Sequence, residues 1–360
     1  MTDTAPDTAA LLDELRWRGL LHQTTDERAL EQHLRSPRRV YAGFDPTADS
    51  LTIGNLVPIM LLKHFQRRGH TPVVVMGGGT GLIGDPSGKE QERPLLDEAT
   101  IRSNIASQRR IFDQLLAGEP APLVVDNADW LLELGYIQTL RDIGKHFSVN
   151  EMVRRDAVAR RIESREQGVS YTEFSYMILQ AYDFLHLFRE LGVTVQVGGS
   201  DQWGNIASGV DLIRRLEQAE AHGLTCPLVV KADGGKFGKT ESGAVWLTAE
   251  RTSPYAYHQF WINAADADVE AHLKRFTLLD REQIEQIMSE HSRDPGARVA
   301  QRALAREATT LLHGQAACRR AEAIAEALFR GDVRSLDAEA LRDAFAEAPS
   351  SEHDAALLEG

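Results

Sequence analysis

Two lysines flank a glycine in Lys236-Phe-Gly-Lys239-Thr240, inside the polar, Gly-rich stretch 231–242. On such a loop both ammonium groups can reach one polyphosphate, because glycine leaves the backbone free to wrap a ligand. The competing outcome is a solvated charged loop, which is what most such stretches are. A second Gly-rich run, Gly77-Gly-Gly-Thr-Gly-Leu-Ile-Gly-Asp-Pro-Ser-Gly-Lys89, adds Asp85 and Lys89, with Arg93 just beyond. It is neither G-x-G-x-x-G opening a helix nor G-x-x-x-x-G-K-[ST], because Lys89 is followed by Glu90. Tyr41-Ala-Gly-Phe-Asp-Pro-Thr47 leads to Leu51-Thr-Ile-Gly-Asn55 at the start of a helical pattern. Gly54 there admits a ligand to the backbone, and a helix N-terminus favours an anion. A plain strand-to-helix turn capped by Asn55 accounts for the same residues about as well. Tyr176, Gln180 and Asp183 are spaced to share one helix face, which is either solvent-facing or the wall of a pocket. In Gln196-Val-Gly-Gly-Ser-Asp-Gln-Trp-Gly-Asn205, Asp201 and Gln202 follow a strand end. An ionised carboxylate at that place suits a pair of ribose hydroxyls; a helix N-cap before a buried Trp203 is the alternative.

Other chemistries score poorly. The 12 histidines are scattered, with no H-E-x-x-H and no cysteine at zinc spacing, and no G-x-S-x-G elbow is present. The 2 cysteines, Cys226 and Cys318, lie far apart, which argues against a disulfide framework and fits a reducing compartment. The N-terminal MTDTAPDTAALLDEL lacks an apolar core, so no signal peptide is expected, and no apolar run reaches the ~18 residues of a membrane span. With 40 Lys+Arg against 53 Asp+Glu, the net charge of −13 argues against coating nucleic acid nonspecifically but not against a local basic patch.

The elements that must position these groups follow from periodicity. Residues 1–9 read as a loose tail, and 11–21 and 28–34 as helices. Arg39–Phe44 and Thr71–Met76 read as buried strands joined by a helix over 55–68, which makes a right-handed βαβ unit. A short strand is expected at 123–125, helices at 137–146, 150–163 and 173–191, and strands at 193–197 and 228–230. Beyond 253 the pattern is helical throughout, at 268–276, 280–290, 297–312 and 316–329, before an acidic, Ala-rich stretch from 332. At 360 residues the chain has room for two or three domains. The pattern gives an α/β doubly wound parallel sheet with a helical insertion, followed by an all-helical domain. Such sheets bind ligands outside the carboxyl ends of their strands, where the polar clusters fall.

In this order, YAGFDPTADSL, GLIGDPSGK, IGKHFSVN, YTEFSYMILQAYDF, GGSDQWGN and KFGKTESGAVWL resemble the bacterial tyrosyl-tRNA synthetases, class I aminoacyl-tRNA synthetases. SPYAYHQFWIN and LLHG extend the resemblance, which covers roughly 11–335. It implies a Rossmann-like catalytic domain over 1–230 with a helical insertion near 115–190. A KFGKT loop linker over 231–250, a helical anticodon-side domain over 251–335 and an acidic tail over 336–360 follow. It implies that L-tyrosine and ATP, accompanied by Mg²⁺, give tyrosyl adenylate and pyrophosphate, after which tyrosyl passes to tRNA-Tyr. No permanent cofactor and no resident metal are implied.

The implied roles fall residue by residue. Lys236 and Lys239 meet the β- and γ-phosphates within the KMSKS-position segment that ends at Thr240, and Lys89 and Arg93 close over the same group. Asp45, Thr47 and Gly54 stand on the nucleotide side and Asp201 at the ribose. Tyr41 and Asp183 hydrogen-bond the substrate phenol. Tyr176, Gln180 and Asp85 hold its α-amino group, and Gln202 joins the tyrosine set. The resemblance also implies a cytoplasmic homodimer paired through the insertion around 143–150. Two departures stand out. The HIGH-position segment reads Thr52-Ile-Gly-Asn55, with Thr52 and Asn55 where the family has histidines. Bacterial members also continue into an S4-like RNA-binding domain, whereas this sequence stops at Gly360, so weak tRNA binding is expected. Two other readings remain: a paralogue that forms tyrosyl adenylate without efficient tRNA charging, and a non-catalytic tyrosine-binding module.

Overall fold

The computed structural model describes residues 9–85, 95–154, 158–159, 169–230, 234, 237–240 and 243–345. Its centre is a six-stranded sheet. In chain order the strands are β1 (Gln23–Thr24), β2 (Arg39–Phe44), β3 (Thr71–Met76), β4 (Leu123–Asp126), β5 (Val193–Gly199) and β6 (His222–Cys226). Across the sheet they run β1-β6-β5-β2-β3-β4, all parallel except β1, which pairs antiparallel with β6. From β2 the chain winds outward to β3 and β4, then returns to the other side of β2 for β5 and β6. The sheet is therefore doubly wound, and its topological switch point lies between β2 and β5, where a crevice opens.

Both faces are covered, as parallel sheets require. Side chains alternate along a strand. Val40, Ala42 and Phe44, with Val74 and Met76, join one core with helices α1 (Ala9–Trp17), α2 (Glu27–His33), α3 (Leu56–Arg67) and α4 (Glu98–Leu115). Tyr41, Val73 and Val75 enter a second core on the opposite face. Short helices α5 (Ala128–Leu131), α6 (Tyr136–Asp142) and α7 (Val149–Met152) precede the two long helices that cover that face, α8 (Tyr171–Leu191) and α9 (Trp203–Glu217). Ser170 caps α8 by accepting from Glu173 N, and Gly192 ends it in the left-handed conformation.

Three differences from the sequence reading have physical causes. The last parallel strand is β6, not 228–230. Pro227 has no N–H to extend the ladder, and Leu228 and Val230 are 59% and 62% exposed. Helix α4 went unseen because Asn104 and Gln108 interrupt its apolar stripe of Ile101, Ile111, Phe112 and Leu115. The 137–146 helix divides into α6 and a 3₁₀ turn at Gly144–His146, and part of 150–163 lies outside the described residues.

The C-terminal part is helical as expected: α10 (Pro254–Ile262), α11 (Asp266–Phe276), α12 (Arg281–Arg293), α13 (Val299–Arg330) and α14 (Ala338–Phe345). α13 is two helical halves joined at a kink, where Gly314 leaves the helical conformation with φ 84° and ψ 164°, in keeping with the separate helices expected at 297–312 and 316–329. Arg306 Nε reaches Glu322 at 2.8 Å. In a straight helix those residues would stand about 24 Å apart along the axis, so the two halves fold back on each other.

Candidate active site

The crevice at the switch point is a cleft of about 650 Å³. Its lining brings together candidates that are distant in sequence. Tyr41, Asp45, Thr47, Thr52, Gly54 and Asn55 come from β2 and the turn after it. Asp85 follows β3, and Tyr176, Gln180 and Asp183 come from one face of α8. Asp201 and Gln202 stand just beyond β5. Lys89, Arg93 and Lys236 lie outside the described residues; of Lys239 and Thr240 the backbone is described, as the short strand β7 (Lys239–Thr240), paired antiparallel with β8 (Gly243–Ala244).

At the closed end Asp183 is 4% exposed. Trp130 Nε1 donates to Oδ1 at 2.7 Å and Asn127 Nδ2 to Oδ2 at 2.9 Å. Burial dominates these two donors and pushes the carboxyl pKa up to about 8. The Tyr41 hydroxyl is buried with no hydrogen-bond partner, and burial, with the charge of Asp183 second, holds its pKa well above the ordinary phenol value. The end of the cleft is thus apolar in shape, with Tyr41 edge-on to Phe184 at 5.2 Å between ring centres, yet carries a carboxyl and a phenol. That combination fits a flat ring bearing one hydroxyl.

Midway, Tyr176 Oη donates to Asp45 Oδ2 at 2.9 Å and Thr80 Oγ1 to Asp45 Oδ1 at 2.8 Å. Asp45, read from sequence as a nucleotide-side residue, is therefore also tied to the tyrosine set. Gln202 Nε2 donates to Asp85 at 2.7 Å and to Asp201 at 3.1 Å. Asn205 Nδ2 donates to Gln180 Oε1 at 2.9 Å. The acceptors Asp45, Asp85 and Gln180 thus border one region of the cleft, which suits a cationic ammonium group.

At the mouth, the Thr52 hydroxyl and backbone N–H both donate to Asn55 Oδ1, at 3.0 and 3.1 Å. Thr52 therefore serves its own helix start, and Asn55, whose Oδ1 accepts both bonds, lines the cleft. The Leu51–Ile53 backbone pairs with the segment after the lysine loop. Ile53 N donates to Val245 O at 2.9 Å, Leu247 N to Leu51 O at 2.8 Å, and Val245 N to Gly238 O at 2.9 Å. Gly238 has φ +76°, and a Cβ on it would overlap Ile53 Cγ2.

Sequence reasoning missed Thr80, Asn127, Trp130, Asn205 and Trp246. Asn127 was the most readable of them, since it directly follows a strand end, where such sheets bind ligands. Away from the cleft, His258, Cys318 and Glu322 place ligand atoms within 4.8 Å of one another. The Arg306 guanidinium, 2.8 Å from Glu322, opposes a cation there.

A proton should move when the closed end fills. With its pKa near 8, Asp183 is largely protonated at pH 7, and a hydroxyl donating to it favours the carboxylate. Binding of a phenol at pH 7 is therefore expected to release a proton, and affinity to rise with pH up to about 8. Calorimetry in two buffers of different ionisation enthalpy checks this; equal heats would show that no proton is released.

Residues 33–330 match the family model described as tRNA synthetases class I (W and Y). The chain is 52% identical over 344 residues to a protein named tyrosine–tRNA ligase from Roseiflexus castenholzii, covering 94% of this chain and 80% of the relative. It is likewise 52% identical to the tyrosine–tRNA ligase of Bacillus caldotenax, over 96% of this chain and 83% of that one. A C-terminally truncated mitochondrial tyrosyl-tRNA synthetase from Aspergillus nidulans superposes with a TM-score of 0.80 at 31% identity, covering 88% of this chain and 94% of the other.

Proposed function

The chain belongs to the class I tRNA synthetases of the W and Y family, its function is that of a tyrosine–tRNA ligase, and on that premise we propose how its residues divide the work. The observation that carries the reading is the closed end of the cleft, where the unpartnered Tyr41 hydroxyl and Asp183 await one substrate hydroxyl. Tyrosine enters phenol first, and its ammonium group lies against Tyr176, Gln180 and Asp85, with Gln202 holding Asp85 in place. Its carboxylate then points to the mouth. ATP, with Mg²⁺ as part of the substrate complex, lies along the turn from Asp45 and Thr47 to Gly54, with its ribose at Asp201.

No side-chain nucleophile is required. A carboxylate oxygen of tyrosine attacks the α-phosphorus, the bond to the bridging oxygen breaks, and pyrophosphate leaves with the electron pair. Rate comes from holding the two substrates in line and from cations that meet the growing negative charge. Lys236 and Lys239 take the β- and γ-phosphates, joined by Lys89 and Arg93, with Thr240 and Asn55 as neutral donors. In the second step a terminal ribose hydroxyl of tRNA-Tyr attacks the tyrosyl carbonyl and AMP leaves. Tyrosine-dependent exchange of ATP with pyrophosphate tests the first step and charging of tRNA-Tyr the second. Exchange without charging would favour a paralogue specialised for adenylate formation, and absence of both a tyrosine-binding module. Identity near 50% to ligases over 94–96% of the chain favours neither.

We assign the catalytic domain to 1–230 with its insertion, the lysine loop to 231–250 and the anticodon-side domain to 251–335. The reaction takes place where ATP and tRNA are found, in the cytoplasm; no described helix is long and apolar enough to cross a membrane. A net charge of −13 leaves tRNA affinity to local basic patches, so binding is weak and salt-sensitive. The insertion exposes Leu132, Tyr136, Ile137 and Val149, with Ile137 74% accessible. A second copy of the chain is the occupant that suits this apolar surface. Light scattering at micromolar protein is expected to give a dimer mass, and Ile137→Glu a monomer; a monomer in both would refute the pairing.

Thr52 makes a further prediction. Its hydroxyl is spent on Asn55, so a donor that could reach the departing phosphates is missing. One hydrogen bond to a charged group is worth about 1.5–3 kcal/mol, or roughly ten- to a hundredfold in rate. Thr52→His is expected to speed single-turnover adenylate formation about tenfold, with tyrosine affinity unchanged. No acceleration in a folded, tyrosine-binding variant would mean that Asn55 already substitutes.

A further inference from the structure

Helix α4 buries two carboxamides where a core helix would ordinarily bury apolar side chains. Asn104 is 6% and Gln108 1% exposed. Four residues apart, they share one face of the helix. Both face the irregular stretch 45–50 that follows β2. Asn104 Nδ2 donates to the Pro46 carbonyl at 2.9 Å, and Gln108 Nε2 donates to the Ala48 carbonyl at 2.8 Å. Thr47, which lines the cleft, lies between those two carbonyls. No helix or strand hydrogen bonds hold 45–50; Thr47 N donates to Asp45 O at 2.9 Å, Arg251 Nε to Asp49 at 2.8 Å and Thr248 N to Ser50 Oγ at 3.1 Å, and the two carboxamides fix the carbonyls on either side of Thr47. α4 is itself braced, because Arg110 pairs with Glu250 at 2.9 Å and Asp97 caps its first turn by accepting from Thr100 N at 2.7 Å.

We propose that Asn104 and Gln108 are positioning residues for ATP, which set residues 46–48 so that Thr47 meets the nucleotide. The proposal rests on the assignment of Thr47 to the nucleotide side. The side chain of Asp45, at the other end of the stretch, is held by Tyr176 and Thr80, outside 46–48. Loosening 46–48 therefore disturbs the nucleotide and leaves the tyrosine end in place. A general packing role would weaken both substrates together.

The test uses the full chain with Asn104→Leu and Gln108→Met, which keep most of the buried volume and remove the donors. ATP–pyrophosphate exchange gives the KM for ATP and kcat, equilibrium dialysis gives the tyrosine Kd, and thermal melting reports folding. Each variant is expected to raise the KM for ATP or lower kcat by about five- to tenfold, the effect of one neutral hydrogen bond, with the tyrosine Kd unchanged. Thr47→Ala on top of Gln108→Met should add less than its effect in the unaltered chain, because both act through one contact. Unchanged ATP kinetics in the folded variants, or equal losses for ATP and tyrosine, would overturn the proposal. Thr47→Ala alone separates the two levels. If it weakens ATP while the α4 variants do not, only the positioning role fails. If it has no effect, the nucleotide assignment of Thr47 fails and the proposal with it.

Discussion

Asp183→Ala is expected to lower kcat/KM for tyrosine activation by about a hundred- to a thousandfold and to erase most of the preference for tyrosine over phenylalanine. Asp183 already accepts from Trp130 and Asn127 in a site closed to solvent. Removing it takes away the acceptor for the substrate hydroxyl and strands two buried N–H donors. Three groups lose a partner, and at about 1–1.4 kcal/mol each, the lower end of what such a loss costs, they give the stated range. Phenylalanine gains nothing from the carboxylate in the unaltered site, so the variant loses tyrosine far more than phenylalanine. Exchange assays with both amino acids measure the ratio, and an unchanged Tyr/Phe ratio would move phenol recognition away from Asp183.

The sequence was most legible where one element carries a whole constellation. Tyr176, Gln180 and Asp183 could be placed on one helix face by spacing alone, and the β2–β3 crossover by alternating apolar runs. The doubly wound sheet followed from these signals. Trp130 carries no comparable signal, and Asn127 only its place after a strand end. They reach Asp183 across more than fifty residues of chain, and short helices such as α5 have no periodicity to read. Helix α4 was hidden for the reason that makes it interesting: its buried carboxamides look like surface residues. The strand expected at 228–230 shows the opposite error, since an apolar triplet reads as core while Leu228 and Val230 line the open cleft.

The second large effect concerns the lysine loop. Lys236→Ala and Lys239→Ala are each expected to slow tyrosyl adenylate formation by about a hundred- to a thousandfold, while the tyrosine Kd changes less than about twofold. A cation aimed at charge that develops as pyrophosphate leaves acts mainly in the transition state, and removing one such partner has an effect of this size. Tyrosine makes no contact with the loop in the proposed arrangement, so its binding is spared. Single-turnover kinetics with tyrosine titrated separately provides the check. A tenfold or greater rise in the tyrosine Kd would take these lysines out of the phosphate role.

The backbone ladder from Ile53 through Val245 to Gly238 has an evolutionary consequence. Glycine at 238 is demanded twice, by its positive φ and by the methyl group of Ile53 that occupies the space a Cβ would need. Trimming residue 53 would relieve the second demand and leave the first. In this backbone, position 238 should therefore accept asparagine, the side chain most tolerant of that conformation, only together with a smaller residue 53. The two signature segments would then drift as a linked pair, and a chimaera that takes them from different lineages should assemble its lysine loop poorly even when every reacting side chain is present.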